Sequence, residues 1–422
     1  MKNIRMIFGI FIIMALLFAS VPAPNAYAYS YLRVNQTADT DDGSCTSVHC
    51  TLREAIHYAS SGETIDFAPA MSGQTIVLDD GPLVIDEDLT IDGSALSNHV
   101  IVSGDNTMIV FVIGDNDVTF NNLDITEAHY GLYGGGIYNN GSNNTISVND
   151  VAFYDNQAHS GAAIGSKNGG TIVVTNSTFT DNVSSSGCGG AIFMDNGGVV
   201  TITNSEFASN EAVLDGGAVC LSSGSITVEN STFTSNYAEY HGGAIHLQPY
   251  TSITILNSTI FANQVGTHSS SQGGGIFVDN DAEITLSNVT LSNNRAQYGG
   301  GLYLDTDAST AVTNTIFANS VSGYDCYNNG AVFTTNIGNL IESNAPSSYA
   351  CAVPAVSVDP QLGRLSDNGG PTRTMSIGSG SPALDAGNNA VCESTDQRGY
   401  SRPVDGDGDH SSVCDIGAYE LQ

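Results

Sequence analysis

Five carboxylates, Asp195, Asp215, Glu239, Asp279 and Asp305, fall in a stretch otherwise poor in charge. Hydrolysis of a glycosidic bond needs two such groups facing each other across it, one giving a proton and the other activating water or attacking the sugar. Elimination from a uronate needs a strong base instead, usually Arg or Lys, beside carboxylates that hold calcium. Between residues 118 and 320 the basic side chains are Lys167 and Arg295, far apart in the chain. The five carboxylates are scattered and stand mostly among turn residues, where solvation accounts for them. Catalysis by outer-face carboxylates is therefore the alternative reading, and no residue is assigned as catalytic.

A second set has the chemistry of binding. Tyr138, Phe193, His246, Phe277 and Tyr303 occupy one position of a recurring unit, with Gly165 and Cys220 at the same position. If Ile245 and Leu247 point inward, His246 and its column point outward. Aromatic rings stacked on an exterior surface suit sugar rings or a protein partner. Tyr130, His159, Tyr240, His241 and Tyr298 in nearby turns would widen that surface. The competing reading is a stripe covered by C-terminal loops, or a reversed in/out assignment.

For metals, Asp405, Asp407 and Asp409 alternate with glycines as in calcium loops. The bidentate Glu of an EF-hand is missing, since Ile416 stands there. A structural calcium is the one candidate ion. No cofactor is required, and the histidines have no zinc spacing. Asp39 to Gly43 is a similar, weaker acidic turn.

The elements that would position these residues are legible in a repeat. In Ser225–Leu247 an alternating run (Ile226, Val228) meets Asn230, then Phe233, Asn236, a polar turn, the pair Gly242-Gly243, and a second run, Ile245 and Leu247. The residue after the Gly or Ala pair recurs at Ile137, Ile164, Ile192, Val219, Ile245, Ile276 and Leu302. The second Asn recurs at Asn156, Asn182, Asn210, Asn236, Asn263, Asn294 and Asn319, in steps of 25 to 31 residues. Such a period, with short strand-like runs in each unit, means a stacked array. Parallel strands joined this closely cannot form an open sheet, which needs long crossovers, but they can form a coil closed on itself. The reading is an all-β, right-handed parallel β-helix of about ten coils, since parallel crossovers are overwhelmingly right-handed.

Both Asn columns read as ladders. The first-corner residues Asn122, Asn176, Asn204, Asn230, Asn257 and Asn288 also tolerate a left-handed bend. The glycine pairs either take positive φ at a corner or let neighbouring coils approach closely.

The divisions are a signal peptide (1–28), an N-terminal cap with a short helix (29–62), the β-helix (63–320), and last coils with a loop-rich cap (321–422). Lys2 and Arg5 precede an apolar run ending at a small-x-small site, Ala26-Tyr27-Ala28. Thr51 and Glu54 form a capping box before the helical stripe of Leu52, Ala55 and Ile56. Removing Lys2 and Arg5 with the leader takes the net charge from −33 to −35. Such a field repels nucleic acid and polyuronates and excludes DNA binding. Eight cysteines in an exported chain read as disulfides. Spacing suggests Cys45–Cys50, Cys326–Cys351 and Cys392–Cys414. Cys188 and Cys220 stand in different columns and are left unpaired.

Cys50 to Ile56 (Cys-Thr-Leu-Arg-Glu-Ala-Ile) resembles the Cys-Ser-Leu-Arg-Glu-Ala signature of bacterial exported proteins. The series from Asp359 to Glu420 resembles the choice-of-anchor Q domain, and the Gly-Gly-Ala-Ile and Phe-x-x-Asn pattern is similar to polymorphic outer membrane protein repeats. The resemblance implies a pectate-lyase-like β-helix in a secreted or surface protein and assigns no catalytic residues. Members continue past Gly-Ala-Tyr-Glu into a sorting segment, which is not found up to Gln422. The expectation is a secreted or cell-surface, monomeric, non-catalytic binding or adhesion scaffold. Its partner would be a glycan or protein, with no nucleic acid and no membrane span in the mature chain.

Overall fold

A computed structural model describes residues 32–422; the expected leader lies outside them. Strands stack in three walls, and every pairing inside the stack is parallel. The first wall pairs Ser225–Glu229 with Ser252–Leu256 in direct register, Ile226 over Ile253 and Val228 over Ile255. Past the corner it continues through Thr232–Thr234 and Thr259–Phe261. The second wall has ten strands, from Leu83–Ile85 to Cys326–Asn328, and contains Ile245–Leu247. Two-residue strands such as Tyr237–Ala238 form a third, narrow wall between them. The result is a parallel β-helix of about eleven turns with, among the described residues, one short α-helix.

The repeat residues account for the shape of each coil. Ile226, Val228 and Phe233 are at most 2 % exposed and fill the interior. Phe153, Phe179, Phe207 and Phe233 stack with centroids 4.4 to 4.9 Å apart. Asn230 makes its corner at φ 51°, and the other first-corner asparagines are also left-handed. That column is an interrupted ladder: Asn204 donates to Asn176 one coil away at 3.3 Å and Asn176 to Asn149 at 3.2 Å, but Oδ1 of Asn230 and of Asn257 has no hydrogen-bond partner, so backbone shape is its main role.

The second column is a true ladder. Asn236 Nδ2 donates to Asn263 Oδ1 at 2.9 Å and to the Phe207 carbonyl at 3.0 Å, while its own Oδ1 accepts the Asn210 amide and backbone N–H. The chain of bonds runs from Asn156 to Asn294, all buried. Asn319 is a correction. It takes the left-handed position one residue early (φ 57°), and Ser320 occupies the ladder site.

Both expectations for the glycine pairs hold, divided between the two members. Gly242 has φ 62° and turns the chain into the second wall. Gly243 leaves room for the next coil, since a Cβ there would meet the Gly274 carbonyl oxygen at 2.1 Å.

At the N-terminal end, helix Leu52–Tyr58 carries the capping box: Thr51 Oγ1 accepts from the Glu54 N–H, and Glu54 Oε2 accepts from the Thr51 N–H at 2.8 Å. Arg53 grips Asp39 with two 2.8 Å bonds and also reaches the Gly81 carbonyl, so it fastens the cap to a coil. The C-terminal segment runs back along the outside of the first wall. Buried Gln397 bonds Thr232, Thr259 and Thr372, and Arg373 pairs with Glu206. Buried pairs Arg398–Asp396 and Arg402–Glu420 hold its own loops.

The disulfides suggested by spacing are present. Cys188 and Cys220, expected to be unpaired, are bonded to each other. The expectation compared positions only within a column. The turn entering each second-wall strand folds over the outer face, so its last side chain meets the middle residue of the next coil.

Candidate functional site

That diagonal contact organises the outer face of the second wall. Middle residues of successive strands are Tyr138, Gly165, Phe193, Cys220, His246, Phe277, Tyr303 and Tyr327, paired directly in register. Entering turns contribute Cys188, Asp215, His241 and Tyr298, each one residue before a left-handed glycine. Cys188 reaches Cys220, His241 stacks on Phe277 at 4.7 Å, and Tyr298 meets Tyr327 at 5.2 Å. By the same diagonal, Asp215 approaches His246, with Oδ2 3.9 Å from Nδ1. From the following coil Asp279 approaches the other nitrogen, Oδ2 to Nε2 at 4.0 Å.

The aromatic column points away from the core, as the alternation requires, but it is roofed. Phe193 is 7 % exposed, His246 4 %, Phe277 4 % and Tyr303 3 %; Tyr138 is half-buried. The entering turns cover it, not the C-terminal loops. Phe277, Tyr303, Tyr327 and Tyr349 form a continuous stack at 4.8 to 5.4 Å. The rings are thus the floor of the face rather than its contact surface. Gly165 interrupts the column because a Cβ there would strike the Gly134 N–H group at 2.3 Å.

What remains accessible lies along the two edges. On the entering side, Leu214 and Tyr240 are 40 % and 38 % exposed, and Tyr240 stacks on His268 at 5.2 Å. His268 in turn contacts Glu239 at 2.7 Å. On the leaving side are the half-buried carboxylates Asp195, Asp279 and Asp305. Asp215 ties two successive entering turns together, since its Oδ1 accepts the backbone N–H of His241, the residue after Tyr240.

The electrostatics of this cluster are unusual. Burial, helped by the charge of Asp279, pushes the Asp215 carboxyl up to about 6. Burial and nearby Asp305 also raise Asp279. His246 is driven the other way, down to about 3, because burial and neighbouring His241 disfavour its cation. Neither ring nitrogen of His246 has a hydrogen-bond partner. A buried, neutral, unpartnered imidazole between two carboxyls of raised pKa is the kind of environment that marks functional sites.

Of the five carboxylates singled out in the sequence, Asp215, Asp279 and Asp305 come together here. Glu239 turns to Tyr237 and His268, and Asp195 bonds Asn196 and Ser223. Sequence reasoning missed Tyr327, although Cys326-Tyr327-Asn328 keeps the in-out-in order of the wall. It also missed the pairing of Asp215 with the next coil's His246, which no column alignment shows.

In the C-terminal loops Asp405 and Asp407 meet Asp385 rather than Asp409. Asp409 caps Ser411. A second metal-compatible grouping at the N-terminal cap is Asp42, His49 and Glu54, but Glu54 is already committed to the capping box.

The family model for the right-handed β-helix region matches residues 190–353, and that for the Chlamydia polymorphic membrane protein repeat matches residues 176–195. The chain winds as a right-handed β-helix. The crystal structure of pectate lyase Pel9A superposes with a TM-score of 0.54 at 16 % identity, over 92 % of this chain and 96 % of that one. At that identity the likeness is one of fold. No curated protein matches the chain. No helix among the described residues is long and apolar enough to cross a membrane.

Proposed function

We propose that the protein is a secreted glycan-binding β-helix whose ligand lies along the outer face of the second wall, across Tyr240, Asp215 and Asp279. The observation that carries this reading is the accessible Tyr240 ring beside half-buried carboxylates, above a floor of stacked rings. Amphipathic rings next to hydrogen-bonding carboxylates are what a sugar's apolar face and hydroxyl rim require. A chain of net charge −33 with carboxylates on both edges of the face favours uncharged or amino sugars over uronates.

The neighbouring fold belongs to a lyase, but elimination from pectate is disfavoured for this chain. The basic side chain on the face is Lys167, which lies over Tyr133 at 5.3 Å and belongs to an earlier coil than Asp215 or Asp279. Nothing in the binding reading calls for a metal or cofactor.

The direct test is titration with partially N-acetylated chitosan oligomers and with laminarin, a neutral glucan, using polygalacturonate as the control. Tyr240→Ala should weaken binding of the first two roughly five- to twelvefold while leaving the melting temperature in place, as loss of one stacking contact of about 1–1.5 kcal/mol predicts. Equal affinity in wild type and Tyr240→Ala, or preferential binding of polygalacturonate, would refute it.

A further inference from the structure

Resting on that ligand face, we infer that the protein also hydrolyses the glycan it binds, with Asp215 as general acid and Asp279 as general base on either side of His246. Both carboxylates are about a quarter exposed at the side chain, 22 % and 26 %, so a substrate can reach them. They come from coils two strand spacings apart, about 9–10 Å along the stack. Both lean toward the imidazole between them. With backbones two coils apart and an imidazole between the carboxyls, the pair fits the wide class that admits a water beside the sugar better than the close pair of about 5–5.5 Å that forms a covalent intermediate.

His246 gives the independent sign of a ligand. Its side chain is 6 % exposed, and both ring nitrogens lack partners. An unsatisfied buried polar group is costly unless something completes it. A water held between the ring and a carboxyl would supply the missing bond. The other charged or titratable groups facing this point are His241 from the coil of His246 and Asp305 from the coil after Asp279.

The step balances without a co-reactant beyond water. Protonated Asp215 gives its proton to the glycosidic oxygen as the bond from the anomeric carbon breaks. Asp279 takes a proton from the water whose oxygen bonds to that carbon from the opposite side. One glycosidic bond and one water become two hydroxyl groups, and the proton returns from Asp279 to Asp215 through solvent. The anomeric configuration is inverted.

The experiment follows reducing ends released from partially N-acetylated chitosan and from laminarin at pH 5.5, with the anomer of the first product read by proton NMR. Wild type should release inverted product. Asp215→Asn and Asp279→Asn should each lower the rate at least a hundredfold while keeping the wild-type far-UV circular dichroism spectrum, which shows that they fold. Asp181→Asn, remote from the face, should match wild type. Binding with no release above the blank overturns the hydrolysis and leaves the binding proposal standing. Absence of binding overturns both. Release that persists in both Asn variants, or product of retained configuration, also overturns the assignment.

Discussion

Asp215 and His246 show how far single residues carry the account. Asp215 has a folded-state pKa near 6 against an ordinary 3.8, raised by burial and by Asp279. A carboxyl raised on folding contributes most to stability when protonated. That contribution is complete below about pH 4 and is lost as pH rises through about 6. Two units would be worth about 3 kcal/mol, and partial exposure reduces this to roughly 1–2 kcal/mol. Asp215→Asn should therefore melt higher than wild type at pH 8 and match it near pH 4. A variant that melts lower at pH 8 would show the carboxylate to be structurally favourable. His246→Phe replaces an imidazole without hydrogen bonds by a ring of similar shape, so the melting temperature should hold or rise, by up to about 1–2 kcal/mol of stability. A clear fall would mean that the ring nitrogens have protein partners. Phe277→Ala, by contrast, opens a hole in the buried stack and should cost about 3–5 kcal/mol by denaturant titration.

Among the elements, the asparagine ladder makes the sharpest comparison. Asn236 donates two hydrogen bonds and accepts two, all buried, so Asn236→Ala should cost roughly 2–4 kcal/mol in chemical unfolding. Asn319→Ala should cost well under 1 kcal/mol, because that residue is exposed and outside the ladder. Similar losses in the two variants would contradict the assignment of Ser320 to the ladder. This pair also shows where the sequence is readable. Phe233 and Asn236 recur at fixed spacing because each must contact its counterpart one coil away, and contact between like residues leaves a periodic trace. The diagonal contacts of the entering turns join different positions of successive coils, Cys188 to Cys220 and Asp215 to His246. They leave no self-similar trace, so neither the disulfide nor the carboxyl cluster could be found by aligning columns.

At the scale of the molecule, the stacked coils, the end helix and its capping box were all legible, because each follows from local alternation, caps and turn residues. The path of the C-terminal segment was not. Its contacts join Gln397 to Thr232 and Thr259, residues more than a hundred positions apart, and no local pattern encodes such a return. Glu54 in the helix cap, and Asp396, Gln397 and Glu420 in the C-terminal segment, are buried and hold structure. Those residues therefore mark the architecture, while the proposed chemistry lies on the middle coils. The most direct measurement of the central claim is a crystal structure with a chitosan oligomer bound. The account predicts a sugar ring against Tyr240 and a glycosidic oxygen between Asp215 and Asp279 above His246. An oligomer ordered elsewhere, for instance on the acidic corner of Glu127, Asp155 and Asp181, with the second-wall face empty, would contradict it.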